Sequence, residues 1–332
     1  MRQARVERGV RALAVGAAGL ATGVGALAAV NRLIAISAGE LYGVLDGHEA
    51  RYRWGHHAIY YTVRGRGAPL LLVHGLYPGA SSYEYRHVFA PLARDYRVYA
   101  LDLVGFGQSA RPALRYTPEV YERLIQDFTR EVMGGVDHPV SVVASGLGAA
   151  FAVRAAADRP SLFDRLVLVA PTGLEARHIA RTGPRARLAR RLLRLPLLGE
   201  GGYNLLASRA ALRGTLGGGG EPDRRAAAAR LDYLYLAAHQ PGARHAPASL
   251  FSGLLDAPLA AAYPELTQPI LLVWGKAARR TPLEQARAFR QANPRADIRV
   301  LTAGDRPHED APDEFTRAVR AWLRAPSITR SP

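Results

Sequence analysis

The segment Val142-Val143-Ala144-Ser145-Gly146-Leu147-Gly148 passes from an apolar run into a helical pattern through small residues. It has the form of an elbow, a sharp strand-to-helix turn that lifts one side chain out of a buried sheet as a nucleophile. The turn residue of an elbow has a strained backbone, and the residues two before and two after it must be small to avoid clashing across the turn. Centred on Gly146, the flanks are Ala144 and Gly148, and both fit; centred on Ser145, they are Val143 and Leu147, and neither does. The register therefore places Gly146 at the nucleophile position and Ser145 one residue off it. A hydrogen atom stands where nucleophilic catalysis needs a hydroxyl, thiol or carboxylate.

Such a turn has to sit at the end of a buried strand. Residues 69–75, 98–109, 140–143, 165–171, 269–275 and 297–301 supply apolar runs, several of them ending in glycine or in chemically useful residues. Continuous apolar runs are expected of strands covered on both faces. Helical patterns lie between most of them, as at 118–133 and 147–159. The alternation predicts a doubly wound, mostly parallel α/β sheet with its site at the strand ends. Gly105-Phe106-Gly107 lacks the third glycine of a dinucleotide fingerprint.

Five pieces, in order, then carry a resemblance. They are His74-Gly75-Leu76 with Pro78-Gly79, the stretch Leu101 to Pro112, the elbow, the run 271–275, and Gly304 to Phe315. With them the chain resembles the α/β-hydrolase fold, in the group that holds esterases, epoxide hydrolases, haloalkane dehalogenases and C–C hydrolases. The resemblance implies a nucleophile, a histidine and an acid. It places the general base at His308, in Pro307-His308-Glu309, and the acid at Ala278, where the carboxylate is missing. Relatives that carry the acid after the preceding strand offer no help, because Ala170-Pro171-Thr172-Gly173 has no carboxylate before Glu175. Asp102 matches a position that supports a turn. Two of the three roles are thus empty. An oxyanion hole built from backbone N–H groups survives any substitution but proline, and by resemblance its donors are Leu76 and Leu147. His74, Tyr77 and Ser145 are the expected pocket residues.

The resemblance also divides the chain. Residues 39–172 and 264–325 form the core, 173–263 an inserted helical cap with a flexible joint at Gly217–Gly220, 1–38 an N-terminal segment and 326–332 a tail. In the cap, Arg187, Arg190, Arg191 and Arg194 line one helical stripe beside Leu188, Leu192 and Leu195. This is the pattern of a solvated cap helix or of a basic helix lying on an anionic membrane. Tyr233, Tyr235 and His239 do not share a face.

Residues 12–30 carry no charge and follow Arg2, Arg5, Arg8 and Arg11. That length is enough to span a bilayer, and the arginines would stay inside. The segment is therefore expected to anchor the chain in a membrane with the main domain outside the cytoplasm, a cleaved signal peptide or a cytoplasmic protein being the alternatives. Gly19 and Gly23 form a weak helix-packing pair.

Among 332 residues there is no cysteine, which excludes disulfides and a thiolate nucleophile. No histidine and carboxylate cluster has metal-ligand spacing, and no cofactor is expected. The net charge of +16 comes almost wholly from arginine, Lys276 being the only lysine. That bias matches a GC-rich coding sequence, and no nucleic-acid motif accompanies it. The expectation is a degenerate hydrolase-like protein that binds a small lipophilic carbonyl-type ligand. The alternatives are a weak hydrolase using His308-activated water with the oxyanion hole, and a membrane-associated scaffold.

Overall fold

The computed structural model of the chain describes residues 25–34, 36, 39–174, 188, 191, 195–216 and 224–325. Eight strands form one sheet: β1 (His48–Trp54), β2 (His57–Arg64), β3 (Pro69–Val73), β4 (Arg97–Leu101), β5 (Val140–Ser145), β6 (Phe163–Val169), β7 (Ile270–Gly275) and β8 (Asp297–Leu301). Their spatial order is β1-β2-β4-β3-β5-β6-β7-β8. β2 runs antiparallel to both β1 and β4, and every other pair is parallel. The fold is the α/β-hydrolase arrangement expected from the sequence, and all six anticipated strands are present.

The sheet is covered on both faces because successive strand residues point to opposite sides. Leu71, Val73, Val142, Ala144, Leu168 and Leu272 face a core shared with helices α2 (Pro118–Glu131), α3 (Gly146–Asp158) and α8 (Leu283–Ala292). Leu70, Leu72, Val143, Val167, Val169, Leu271 and Val273 face the other core, closed by the short α1 (Phe89–Leu92) and by α10 (Pro312–Arg324) through Phe315, Val319 and Trp322. Burying each such large side chain contributes about 1.5–3 kcal/mol. The double covering holds the strand ends rigid, and the site is built there.

The β1–β2 hairpin is an addition to the expected architecture. β1 alternates exposed and half-buried residues and carries Arg51 and Arg53, so it offers no apolar run. Its two-residue turn at Gly55 and His56, with Gly55 at φ +59°, closes a ladder in which Trp54 pairs with His57.

Among the described residues, four helices lie between β6 and β7: α4 (Pro196–Leu206), α5 (Arg209–Leu216), α6 (Arg224–Ala238) and α7 (His245–Phe251). The glycine joint at 217–220, the glycine pair Gly19/Gly23, the tail 326–332 and most of the arginine stripe at 187–194 fall outside the described residues.

The expectation of a membrane anchor, and of a main domain beyond the membrane, is corrected here. Among the described residues no helix is long and apolar enough to cross a membrane. Residues 12–24 of the expected anchor lie outside the described residues, but 25–30 belong to a helical run, 25–34, that rests on α4. Asn31 on this run is buried; its amide donates to the Leu197 carbonyl at 3.2 Å, and its Oδ1 accepts from the Asn204 amide at 3.0 Å. Gly201 lets Leu27 approach α4 closely. An alanine- and glycine-rich segment is well suited to such close helix packing, and the Asn31 pair joins its polar end to the protein rather than to lipid.

Candidate functional site

The elbow is formed where β5 meets α3. Ser145 is extended, at φ −114° and ψ 140°, and Gly146 turns the chain at φ +53°. That left-handed conformation suits glycine and strains other residues. A Cβ at Gly146 would meet nothing within 4 Å. A Cβ at Gly148, by contrast, would run into the carbonyl oxygen of His74. The small residue demanded two positions past the turn is therefore the glycine that lets α3 pass beneath the β3 loop. In this geometry Gly146 occupies the turn and Ser145 precedes it.

Gly146 opens onto a cavity of about 250 Å³. Leu76, Leu147, Val169 and Leu250 give it an apolar wall; Thr215, Arg280 and Arg306 add polar groups. Leu76, Tyr77, Ser145, Gly146 and Leu147 are thus brought together around one space. The first N–H groups of α3 have no acceptor within the helix, and the Ser145 side chain does not cap them. Ala170, also in the wall, holds φ +42°, a strained value for a residue with a side chain.

The other sequence-derived residues stand apart from the wall. His74 is buried beneath the loop: its Nδ1 lies 2.7 Å from the Gly75 carbonyl, and its Nε2 accepts from the Leu103 N–H at 3.1 Å. These bonds brace the loop between β3 and the turn after β4. Asp102 supports the same region, its two oxygens accepting the N–H groups of Ser82 and Gln108 at 2.7 Å each. Ala278 lies in the turn after β7, whose Arg279 and Arg280 N–H groups donate to Asp305 at 2.7 and 2.8 Å.

His308 is wholly buried on the short helix α9 (Pro307–Asp310). Its Nε2 lies 3.3 Å from Glu84 Oε1, a close contact without the alignment of a hydrogen bond. Sequence reasoning missed Glu84, which sits in a single turn of 3₁₀ helix, Ser82–Tyr85. The Glu84 carboxylate accepts the Gly75 N–H at 3.0 Å and the Tyr77 hydroxyl at 3.1 Å. Burial raises its pKa, but His308, His74 and Arg306 outweigh that and hold it down at about 2. Burial, with Glu84 close by, pushes the Tyr77 hydroxyl well up.

A second buried carboxylate stands beside this pair. Glu309 accepts from Arg86 and Arg230 at 2.6 Å each and has Arg306 Nε at 3.5 Å. Its own burial raises its pKa, and Arg230, Arg306 and Arg86 bring it below the ordinary carboxylate value. The Arg306 guanidinium also lies over the Tyr77 ring, 4.6 Å from its centroid. These residues escaped notice because no spacing links 84, 86 and 230 to 306–309; the one local signal was that Arg306 and Glu309 flank His308.

Comparison with known proteins agrees with this architecture. The sequence profile described as Alpha/beta hydrolase family matches residues 70–318. A 2-hydroxy-6-oxo-6-(2'-aminophenyl)hexa-2,4-dienoic acid hydrolase of Metapseudomonas resinovorans is 36% identical over 115 residues, 34% of this chain and 39% of that protein. A haloalkane dehalogenase of Agrobacterium fabrum is 35% identical over 113 residues, 34% of each. The chain therefore matches well under half the length of these curated relatives. The crystal structure of a serine hydrolase involved in carbazole degradation superposes with a TM-score of 0.67 at 24% identity, over 83% of this chain and 98% of that one; at that identity the likeness speaks for the fold alone.

Proposed function

The chain belongs to the alpha/beta hydrolase family, and from that premise we propose that it is a member without the covalent step, its cavity binding a small lipophilic ligand through a carbonyl-type oxygen. One observation carries the reading: Gly146, at φ +53°, turns the chain where a nucleophile would stand, with open space in place of a side chain. The apolar wall supplies affinity for a lipophilic body. The N–H groups of Leu76 and Leu147 are the donors for the ligand oxygen, since a buried donor without a partner costs about 1–3 kcal/mol. Activation of water by His308 is the weaker reading, because the imidazole is wholly buried against Glu84 and is not part of the cavity wall.

The test is direct. The unmodified chain should not hydrolyse p-nitrophenyl acetate and should not be labelled by a fluorophosphonate. Acetophenone should bind with measurable heat, and Gly146→Leu, which fills the floor of the cavity, should abolish that heat while the protein stays folded. Labelling of Ser145, or binding that survives Gly146→Leu, refutes the reading.

A further inference from the structure

We propose that the ligand of the cavity is an anionic lipophile, an apolar body with a carboxylate at one end, and that Arg280 is the side chain that receives the carboxylate. The proposal rests on the reading of the cavity as a binding site for a lipophilic carbonyl compound, and it adds the charge that such a compound carries.

The charges in the wall carry the assignment. Two arginines line the cavity, Arg280 and Arg306. Arg306 is compensated: its Nε lies 3.5 Å from Glu309 Oε1, and Glu84 and Asp310 add their fields. Arg280 is not. Among the described residues it forms no ion pair, and its guanidinium makes one hydrogen bond, from Nη2 to the Gly214 carbonyl at 2.6 Å. A guanidinium offers five N–H donors and grips a carboxylate with two of them in parallel. Two carboxylates also line the cavity. Asp305 spends Oδ1 on the N–H groups of Arg279 and Arg280, at 2.7 and 2.8 Å. Asp256 belongs to the segment beside Ala257 and Gly173, past the end of β6. A ligand carboxylate is repelled there and is thereby directed to the Arg280 end.

The loop that presents Arg280 is pinned from both sides. Trp274 Nε1 donates to the Thr281 carbonyl at 2.6 Å, and the Lys276 and Ala277 N–H groups donate to the Leu301 and Ala303 carbonyls at 2.9 Å each. In this loop Ala278 stands where the resemblance places an acid, and Arg279 and Arg280 follow it, so the strand end offers cations in place of a carboxylate. The Arg280 side chain reaches the carbonyl end of α5, whose Thr215 also lines the cavity. In the sheet only β6 separates β5, which ends at the elbow, from β7, which leads into this loop. Two strand spacings are about 10 Å. An aryl ketone with its carboxylate a few carbons away covers that span once the reach of the Arg280 side chain is subtracted. Its carbonyl then meets the N–H groups at the elbow while its carboxylate meets the guanidinium.

The experiment separates charge from shape. The full chain is titrated calorimetrically with 3-benzoylpropionate, 4-benzoylbutyrate and 5-benzoylpentanoate, each against its own methyl ester. We expect at least one acid to bind about fivefold or more tightly than its ester, the upper end for an ion pair that solvent reaches. The advantage should shrink as ionic strength rises. Arg280→Gln should bring that acid and its ester to within about twofold of each other, and Arg280→Lys, which keeps the charge, should retain part of the advantage. An arginine that served only to hold α5 through Gly214 would instead lower acid and ester alike.

Acids that bind no better than their esters, while acetophenone and the esters do bind, overturn the proposal and leave the reading of the cavity standing. An acid advantage that persists in folded Arg280→Gln places the anion elsewhere and overturns the assignment too. If acetophenone, esters and acids all fail to bind the folded protein, the reading of the cavity falls, and the role of Arg280 falls with it.

Discussion

Arg230 Nη2 donates to Glu309 Oε1 at 2.6 Å, with both side chains almost sealed from solvent. Arg230 comes from α6 and Glu309 from α9, the short helix that carries His308. The pair therefore ties α6 to the short helix that carries the imidazole. Arg86, beside Glu84 in the β3 loop, binds the other oxygen of the same carboxylate.

Glu309 should be more sensitive to substitution than any one of its arginines. Glu309→Gln leaves Arg86, Arg230 and Arg306 facing one another without compensation, and breaking a buried pair in this way costs about 3–5 kcal/mol. Arg230→Met should cost less, since Glu309 keeps two cationic partners. Chemical denaturation midpoints of the two variants test the order, and the reverse order would mean that Glu309 is not the hub of the cluster.

Stability should fall on the acid side. Glu84 is held at about 2 against an ordinary 4.5, and Glu309 is also shifted down. A carboxyl whose folded pKa is depressed stabilises the protein above its unfolded pKa and loses that contribution as pH falls toward the folded value. The melting temperature should thus be flat above about pH 5–6 and decline progressively below it. Glu84→Gln should lower stability near neutrality and flatten the decline. An unchanged slope in that variant would show that other groups set the acid limb.

Two glycines of the elbow should respond very differently to alanine. At Gly146 the new methyl group meets open space, so the cost is the left-handed backbone alone, about 1–2 kcal/mol. At Gly148 it collides with the His74 carbonyl, which must move along with the β3 loop. Such overpacking costs typically about 1–3 kcal/mol or more, and here it also displaces the Leu76 donor, so Gly148→Ala should lose acetophenone binding while Gly146→Ala retains some. Equal loss in calorimetric titrations of both variants would contradict this.

The docking of residues 25–34 predicts an effect for a residue far from the cavity. Asn31→Leu leaves the Leu197 carbonyl and the Asn204 amide without their partner, at a cost of about 1–3 kcal/mol if they remain buried. Thermal melting of Asn31→Leu should show the loss, and truncation before Gly39 should show it too. An unaltered melt in both would mean the contact adds nothing to stability.

The sheet was readable in the sequence because its central strands are buried on both faces, which leaves long apolar runs such as Leu70 to Val73. The β1–β2 hairpin was hidden for the opposite reason, since its outer strand is largely exposed. The elbow register could be read because the steric demand is local: Ala144 and Gly148 lie within two residues of the turn. Glu84 could not be found in that way. Its partners, Gly75, Tyr77 and His308, are gathered by the ends of different strands, and a glutamate in Ser-Tyr-Glu-Tyr looks like surface until the fold buries it. The anchor expectation failed in its described part, residues 25–30, because hydropathy does not register the close approach of Leu27 to Gly201 or the bonds made by the adjoining Asn31.

The approach of Gly148 to the His74 carbonyl has a bearing on how such chains are catalogued. A search for any serine between small residues would stop at Ser145, one residue before the turn. Counting back two residues from the glycine that the loop carbonyl requires arrives at position 146 instead. That glycine is thus a fiducial mark for the turn, set by a backbone contact rather than by the side chain at the turn itself.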